Sequence, residues 1–173
     1  MKLSPLQISR YQYNPKLPGM LRHGVSEICV KEGEATQSVA DQEKIKSLFP
    51  NTYGKKEITF QKGHNNASSK KQIVGVILSG GQAPGGHNVV SGLYDALKSA
   101  NKENELVGFL GGPSGLIEDK YIVFTDEYID QYRNTGGFDI IGSGRTKLET
   151  QEQFKIAEQV CKSHNINAIV IID

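Results

Sequence analysis

The chain has 173 residues, enough for one ordinary domain with some extra, and its 20 Lys and Arg nearly balance 19 Asp and Glu. There is no basic field to recruit nucleic acid, and no apolar run approaches the about 18 residues needed to span a bilayer. Cys29 and Cys161 stand far apart, His23, His64, His87 and His164 match no zinc pattern, and MKLSPLQISR lacks the apolar centre of a secretory signal, so a reducing cytoplasm is expected.

In chain order, residues 1–70 read as an irregular extension. Prolines are frequent (Pro5, Pro15, Pro18), apolar residues are sparse, and GHNNASSKK, Gly63 to Lys71, reads as a linker. Within the extension Ser38 to Phe49 predicts a short helix, with Val39, Ile45 and Leu48 partly sharing a face and Pro50 ending it.

From residue 71 to 173 the signals become regular. Gln72 to Leu78 predicts a strand buried on both faces, followed by the glycine turn SGGQAPGGHN and a helix over Val89 to Ser99 with Val89, Val90, Leu93, Ala96 and Leu97 at helical spacing. Leu106 to Leu110 predicts a second strand, ending in the loop GGPSGL. After YIVF, Thr125 opens a helix with acidic residues in its first turn and Gly136 past its end. Phe138 to Ile141 predicts another strand, broken by Gly142 and Gly144. Thr150 and Gln153 form the capping box of a helix running to about Ser163, and Ala168 to Ile172 predicts the last strand. This alternation predicts an α/β fold with a parallel sheet and helices on both faces. Sites in such sheets lie at the carboxyl ends of strands, where three glycine-rich loops fall: Ser79 to Asn88, Gly111 to Leu116 and Gly142 to Leu148.

A glycine turn between strand and helix can present backbone N–H groups to an anion, helped by the helix dipole. Gly81 and Gly86 stand in the G-x-x-x-x-G relation, but His87 and Asn88 replace the Lys and Ser or Thr of a P-loop, and the dinucleotide pattern G-x-G-x-x-G is absent. A tight turn with no ligand is the alternative, because glycine is also required wherever φ is positive. Arg145 and Lys147 add charge beyond a strand end and suit a phosphoryl group; a solvated basic loop is the competing reading. His87 is either a ligand contact or a polar residue at a helix start, Tyr128 and Tyr132 read as packing or surface residues rather than a stacking platform, and Cys161 as core.

VGVILSGGQAPGGHNVV, GFLGGPSGL, NTGGFDIIGSGRTK and INAIVII, in this order and spacing, resemble the first domain of phosphofructokinases. Gln82, where ATP-dependent relatives usually carry Asp, and the early LQISRYQYNPKLP are similar to the long, pyrophosphate-dependent branch. The resemblance implies a Rossmann-like donor domain in which Gly80 and Gly81 lie against the phosphoryl donor and Arg145 contacts the transferring phosphoryl, with Lys147 on the same loop. Pro113 and Ser114 stand where ATP-dependent relatives commonly place a tyrosine near the adenine, which agrees with a donor lacking a base.

The family's implied Mg²⁺ is held by a GGDDS-type motif after the last strand. Here Ile172 is followed directly by Asp173, so Asp173 is a metal candidate only if two glycines are deleted. Residues for fructose 6-phosphate and the catalytic base are expected beyond Asp173. The chain is thus expected to be the amino-terminal portion of a phosphotransferase of glycolysis and gluconeogenesis that forms a homo-oligomer when complete. A non-catalytic subunit or inert fragment, and an ATP-using kinase on the same fold, remain as alternatives.

Overall fold

The computed structural model describes residues 3–64 and 70–173; most of the predicted Gly63–Lys71 linker lies outside the described residues. By contact the chain divides into two compact units, residues 16–67 and residues 1–15 with 68–173, whereas the sequence draws its boundary near residue 70.

The extension carries more regular structure than its composition announces. Helix α1 (Pro5–Gln12) has Pro at its start and a full capping box in which Ser4 accepts from the Gln7 amide and Gln7 reaches back to Ser4. It groups with the α/β unit, where Asn134 Nδ2 donates to Arg10 O at 2.8 Å and to Tyr13 O at 2.9 Å. The smaller unit begins with two 3₁₀ turns, then pairs β1 (Ile28–Ala35) antiparallel with β2 (Lys56–Lys62), joined through helix α2 (Gln42–Leu48). Helix α2 starts later than predicted: Asp41 before it has φ 52° and makes no side-chain cap, and Val39 lies outside the helix, fully exposed. None of the described residues 16–64 with an assigned burial is buried, as sparse apolar content requires.

The α/β unit is built on a four-stranded sheet of order β5-β4-β3-β6, with β3 (Ile73–Leu78), β4 (Glu105–Phe109), β5 (Tyr121–Val123) and β6 (Ala168–Ile172). Strand β3 is parallel to both β4 and β6, as predicted. Strand β5 is antiparallel to β4, so the sheet is mixed rather than wholly parallel. The link between them explains this: after two positive-φ glycines, Gly111 and Gly112, the short helix α4 (Pro113–Ile117) turns the chain back, and Leu110 N–H donates to Lys120 O.

Successive side chains of β3 serve opposite faces, as a strand's two-residue period dictates. Val76 and Leu78 join Val90 and Tyr94 of α3 (Gly86–Ala100), Ile129 of α5 (Asp126–Asp130), Leu106, Phe124, Phe138, Ile140 and Ile141 in one core. Ile77 joins Phe109, Leu116 of α4, and Ala157 and Val160 of α6 (Gln151–Ser163) in the other. Helices therefore cover both faces. Thr150 and Gln153 form the predicted capping box of α6. Helix α5 is capped by Thr125 as predicted but stops at Asp130, giving way to turns through Asn134. Tyr128 and Tyr132 pack against the first core, and Cys161 against the second, so both readings as packing residues hold.

Phe138 to Ile141 is not a strand. Gly137 (φ 122°) and Gly142 (φ 68°) bend the chain at both ends, and the backbone polar groups between them find partners outside any ladder. Ile140 N–H donates to His87 Nε2 (3.2 Å), Ile140 O accepts from the Tyr128 hydroxyl (2.8 Å), and Ile141 O accepts from Gly111 N–H (2.8 Å). The apolar side chains of Phe138, Ile140 and Ile141 are buried all the same, which is why the segment imitates a strand in sequence. No described helix is long and apolar enough to cross a membrane.

Candidate functional site

The strand order reverses at β3. The chain runs from β3 through α3 to β4 on one side, and later returns through α6 to β6 on the other. In open α/β sheets ligands bind in the crevice beyond the carboxyl end at such a reversal. Of the three glycine-rich loops, the one after β3 lies at this point, the third closes on it, and the second closes on the third.

The closure is backbone against backbone. Ser79 pairs with Gly144 in an isolated parallel bridge, and Gly80 N–H donates to Gly144 O at 3.1 Å. Ser79 N–H donates to Ile172 O at 2.7 Å, tying the turn to the end of β6. A Cβ on Gly112 would stand 2.8 Å from Gly144 Cα and 3.0 Å from Gly144 O, and one on Gly144 would run into Gly111 O. Glycine is required at these positions by close approach, and at Gly80, Gly111 and Gly112 also by φ of 80°, 72° and 83°.

Four of the predicted site residues meet here. A Cβ on Gly81 would lie 3.2 Å from Arg145 Nη2, so the guanidinium rests over the glycine turn. A Cβ on Gly80 would collide with the Asp173 carboxylate, which occupies the space over that residue. Arg145 is exposed and its side chain forms no ion pair or hydrogen bond with any described residue. Lys147 is likewise exposed and unpaired among the described residues, and nothing brings it into the Gly80–Arg145 contact. The Gly80 amide is spent on Gly144 O, whereas the Gly81 amide has no hydrogen-bond partner among the described residues. Two donors without a partner among the described residues thus stand close together: the Gly81 N–H and the Arg145 guanidinium.

Helix α3 contributes less to this point than a strand-turn-helix pattern suggests. No side chain caps its first turn, but the His87 amide there donates to Gly137 O at 3.1 Å, and a Cβ on Gly86 would collide with the Phe138 ring. His87 is not a ligand contact: it is 1% exposed and lies against Tyr132, Thr135, Asp139 and Ile140. Sequence reasoning missed this role, and a histidine in an otherwise apolar helix face is the signal that points to it. In the second loop Pro113 is buried and Ser114 Oγ donates to Gly111 O at 3.1 Å, so neither offers a stacking surface. Within the core under α3, burial shapes ionisation: Tyr94, its hydroxyl donating to Asp126 at 2.8 Å, is pushed up to about 12, first by desolvation and then by Asp126.

Among the described residues, no group of three or more His, Cys, Asp or Glu is placed to hold a metal ion. Asp173 brings one carboxylate to the turn.

The sequence profile described as phosphofructokinase matches residues 73–172. The chain belongs to the phosphofructokinase family. It is 51% identical over 172 residues to pyrophosphate–fructose 6-phosphate 1-phosphotransferase of Porphyromonas gingivalis, a match covering 99% of this chain and 31% of that protein. The protein of the same name from Entamoeba histolytica is 45% identical, again covering 99% and 31%. The alpha 2 subunit of the Arabidopsis thaliana enzyme of that name is 38% identical, covering 99% and 29%. The chain therefore spans about a third of the length of the curated relatives it matches, and corresponds to one portion of them. A solved pyrophosphate-dependent phosphofructokinase from Nitrosospira multiformis aligns with 60% of this chain and 26% of its own at 20% identity and a TM-score of 0.48.

Proposed function

We propose that this chain is the phosphoryl-donor portion of an enzyme that transfers a phosphoryl group from pyrophosphate to the 1-hydroxyl of fructose 6-phosphate, yielding fructose 1,6-bisphosphate and phosphate. The observation that carries the reading is the Arg145 guanidinium resting over the Gly80–Gly81 turn beside the Gly81 amide, both without a partner among the described residues, at the reversal of strand order. Phosphoryl transfer asks little of a protein beyond position and positive charge on the migrating group. Here the Gly81 N–H orients the donor, Arg145 offsets charge developing on the migrating phosphoryl, and Lys147 supplies a second cation on the same loop. The names of the relatives and the lack of a stacking ring at Pro113 and Ser114 support pyrophosphate over a nucleotide.

The Asp173 carboxylate beside an anion site repels the anion unless a cation lies between them. Mg²⁺ is commonly held by one or two carboxylates together with substrate phosphates. Asp173 is the ligand this portion offers, and when bound the ion would neutralise donor charge. Fructose 6-phosphate and the catalytic base are assigned to parts of the enzyme for which this portion has no counterpart. We place the enzyme in the cytoplasm, in keeping with the free thiols of Cys29 and Cys161, and assign it to the interconversion of fructose phosphates in glycolysis and gluconeogenesis. The subunit names of plant relatives support an oligomer for the complete enzyme.

Titration calorimetry of inorganic pyrophosphate against the chain and against Arg145→Ala tests the reading, with ATP as comparator. Loss of the arginine is expected to weaken pyrophosphate by at least about tenfold, or about 1.4 kcal/mol, without loss of stability, since the side chain is exposed and unpaired. Equal affinities would refute the role of Arg145, and tighter binding of ATP would refute the choice of donor.

A further inference from the structure

His87 takes no part in the chemistry proposed above, yet every polar edge of its buried ring is engaged. Nδ1 lies 2.8 Å from Thr135 Oγ1, Nε2 accepts from Ile140 N–H at 3.2 Å, and the Tyr132 ring meets the imidazole edge-on at 5.0 Å. The Thr135 hydroxyl donates to Tyr132 O at 2.6 Å, so its oxygen accepts from the histidine, and the proton belongs on Nδ1. A proton on Nδ1 leaves Nε2 bare to accept from Ile140, and the imidazole is neutral. Burial pushes its pKa below the ordinary 6.5, against the opposing pull of Asp139.

The bond to Ile140 acts on a segment that has no ladder to hold it. Ile140 leads through Ile141 and the positive-φ Gly142 to Gly144, whose carbonyl takes the Gly80 amide, and to Arg145. We propose that His87 is a positioning residue: its neutral, Nδ1-protonated imidazole holds the Ile140 amide and through it sets the Gly142–Arg145 turn against the Ser79–Gly81 turn. What that turn does for a donor rests on the pyrophosphate reading, but where it lies does not. Acid opposes the arrangement. A second proton has to sit on Nε2, which then faces the Asp139 carboxylate, 3.1 Å away and largely exposed, and Ile140 N–H loses its acceptor. The titratable groups that face the ring are Asp139 and the Tyr132 phenol.

The test uses the ¹⁵N-labelled chain from about pH 8 to about pH 5, the range in which histidine titrates, with His87→Gln and His87→Asn beside it. Glutamine carries an acceptor oxygen near the place of Nε2 and does not titrate; asparagine can donate to Thr135 but is too short to reach Ile140. Long-range ¹⁵N spectra of the wild type are expected to show the proton on Nδ1. On acidification the amide signals of Ile140, Gly144 and Gly80 are expected to move together in the wild type and to stay put in His87→Gln. In His87→Asn they are expected to be displaced at every pH, with pyrophosphate bound about tenfold more weakly than by His87→Gln, the equivalent of about 1.4 kcal/mol. Affinities are compared between variants at one pH, which cancels the titration of pyrophosphate itself.

A proton found on Nε2, or Gly144 and Gly80 signals that ignore the wild-type titration, would overturn the proposal, as would His87→Asn signals at wild-type positions. Should His87→Asn fail to fold, the wild-type titration against His87→Gln decides alone. If pyrophosphate binds none of the proteins, the functional reading falls while the amide signals still judge the positioning role.

Discussion

Replacing Gly144 by alanine should separate the second and third loops and damage stability and binding together. The methyl group would meet Gly111 O closer than 3.0 Å, a contact real Cβ atoms essentially never make, and the obstacle is a backbone carbonyl that has no rotamer to escape into. Overpacking of this kind costs about 1–3 kcal/mol, and a third loop pushed off the second also gives up its bond to the first, Gly80 N–H to Gly144 O, worth about 1 kcal/mol, for a total of about 2–4 kcal/mol. With a urea slope of about 2 kcal/mol/M the unfolding midpoint should fall by about 1–2 M. Gly92→Ala is the matched control. Gly92 sits in α3, exposed, with nothing within 4 Å of its Cβ position, so the same substitution there should raise stability by about 0.5–1 kcal/mol through helix propensity. Circular dichroism in urea reads both variants, and calorimetry with pyrophosphate should show weaker binding for Gly144→Ala alone. A Gly144→Ala midpoint equal to that of the wild type, with Gly92→Ala raised, would show that the loop contact is not the constraint described here.

Other expectations are smaller or concern pH. Thr150→Ala removes the hydroxyl that accepts the Gln153 amide at 3.2 Å and should cost about 1 kcal/mol in the same urea assay; an unchanged midpoint would mean that α6 does not depend on its cap. The lowered pKa of His87 sets a direction for stability. The folded state resists a proton that the unfolded state accepts near 6.5, so this contribution is complete above that pH and is lost as pH falls below it towards the folded pKa. Urea midpoints measured across that interval should decline more steeply for the wild type than for His87→Gln, and parallel declines would remove His87 as their cause.

Much of the candidate site is written locally. The β-branched run of β3, the glycines after it, the apolar spacing of α3 and the T-x-x-Q box of α6 each act through neighbours a few residues away, and each is present where the sequence places it. The three loops at strand ends follow from the alternation of elements. The sequence of Phe138–Ile141, by contrast, misleads because burial and strand pairing leave the same apolar signature; side chains of His87 and Tyr128 satisfy Ile140, and the His87 bond joins residues 53 apart. The reversed direction of β5 and the docking of residues 3–15 through Asn134 depend on turns and contacts that no local pattern announces.

The glycine turn, the nearby basic residues and the family to which they belong were therefore determined by the sequence itself, because residue type and short-range spacing carry them. Which donors remain free was decided only by tertiary structure. Gly80 spends its amide on Gly144, Gly81 spends its own on none of the described residues, Arg145 lies over the turn, and His87 accepts from Ile140 instead of facing the turn. Each of these facts is a pairing between loops distant along the chain, and such pairings exist only once the two cores bring β3, the 138–145 segment and the end of β6 together.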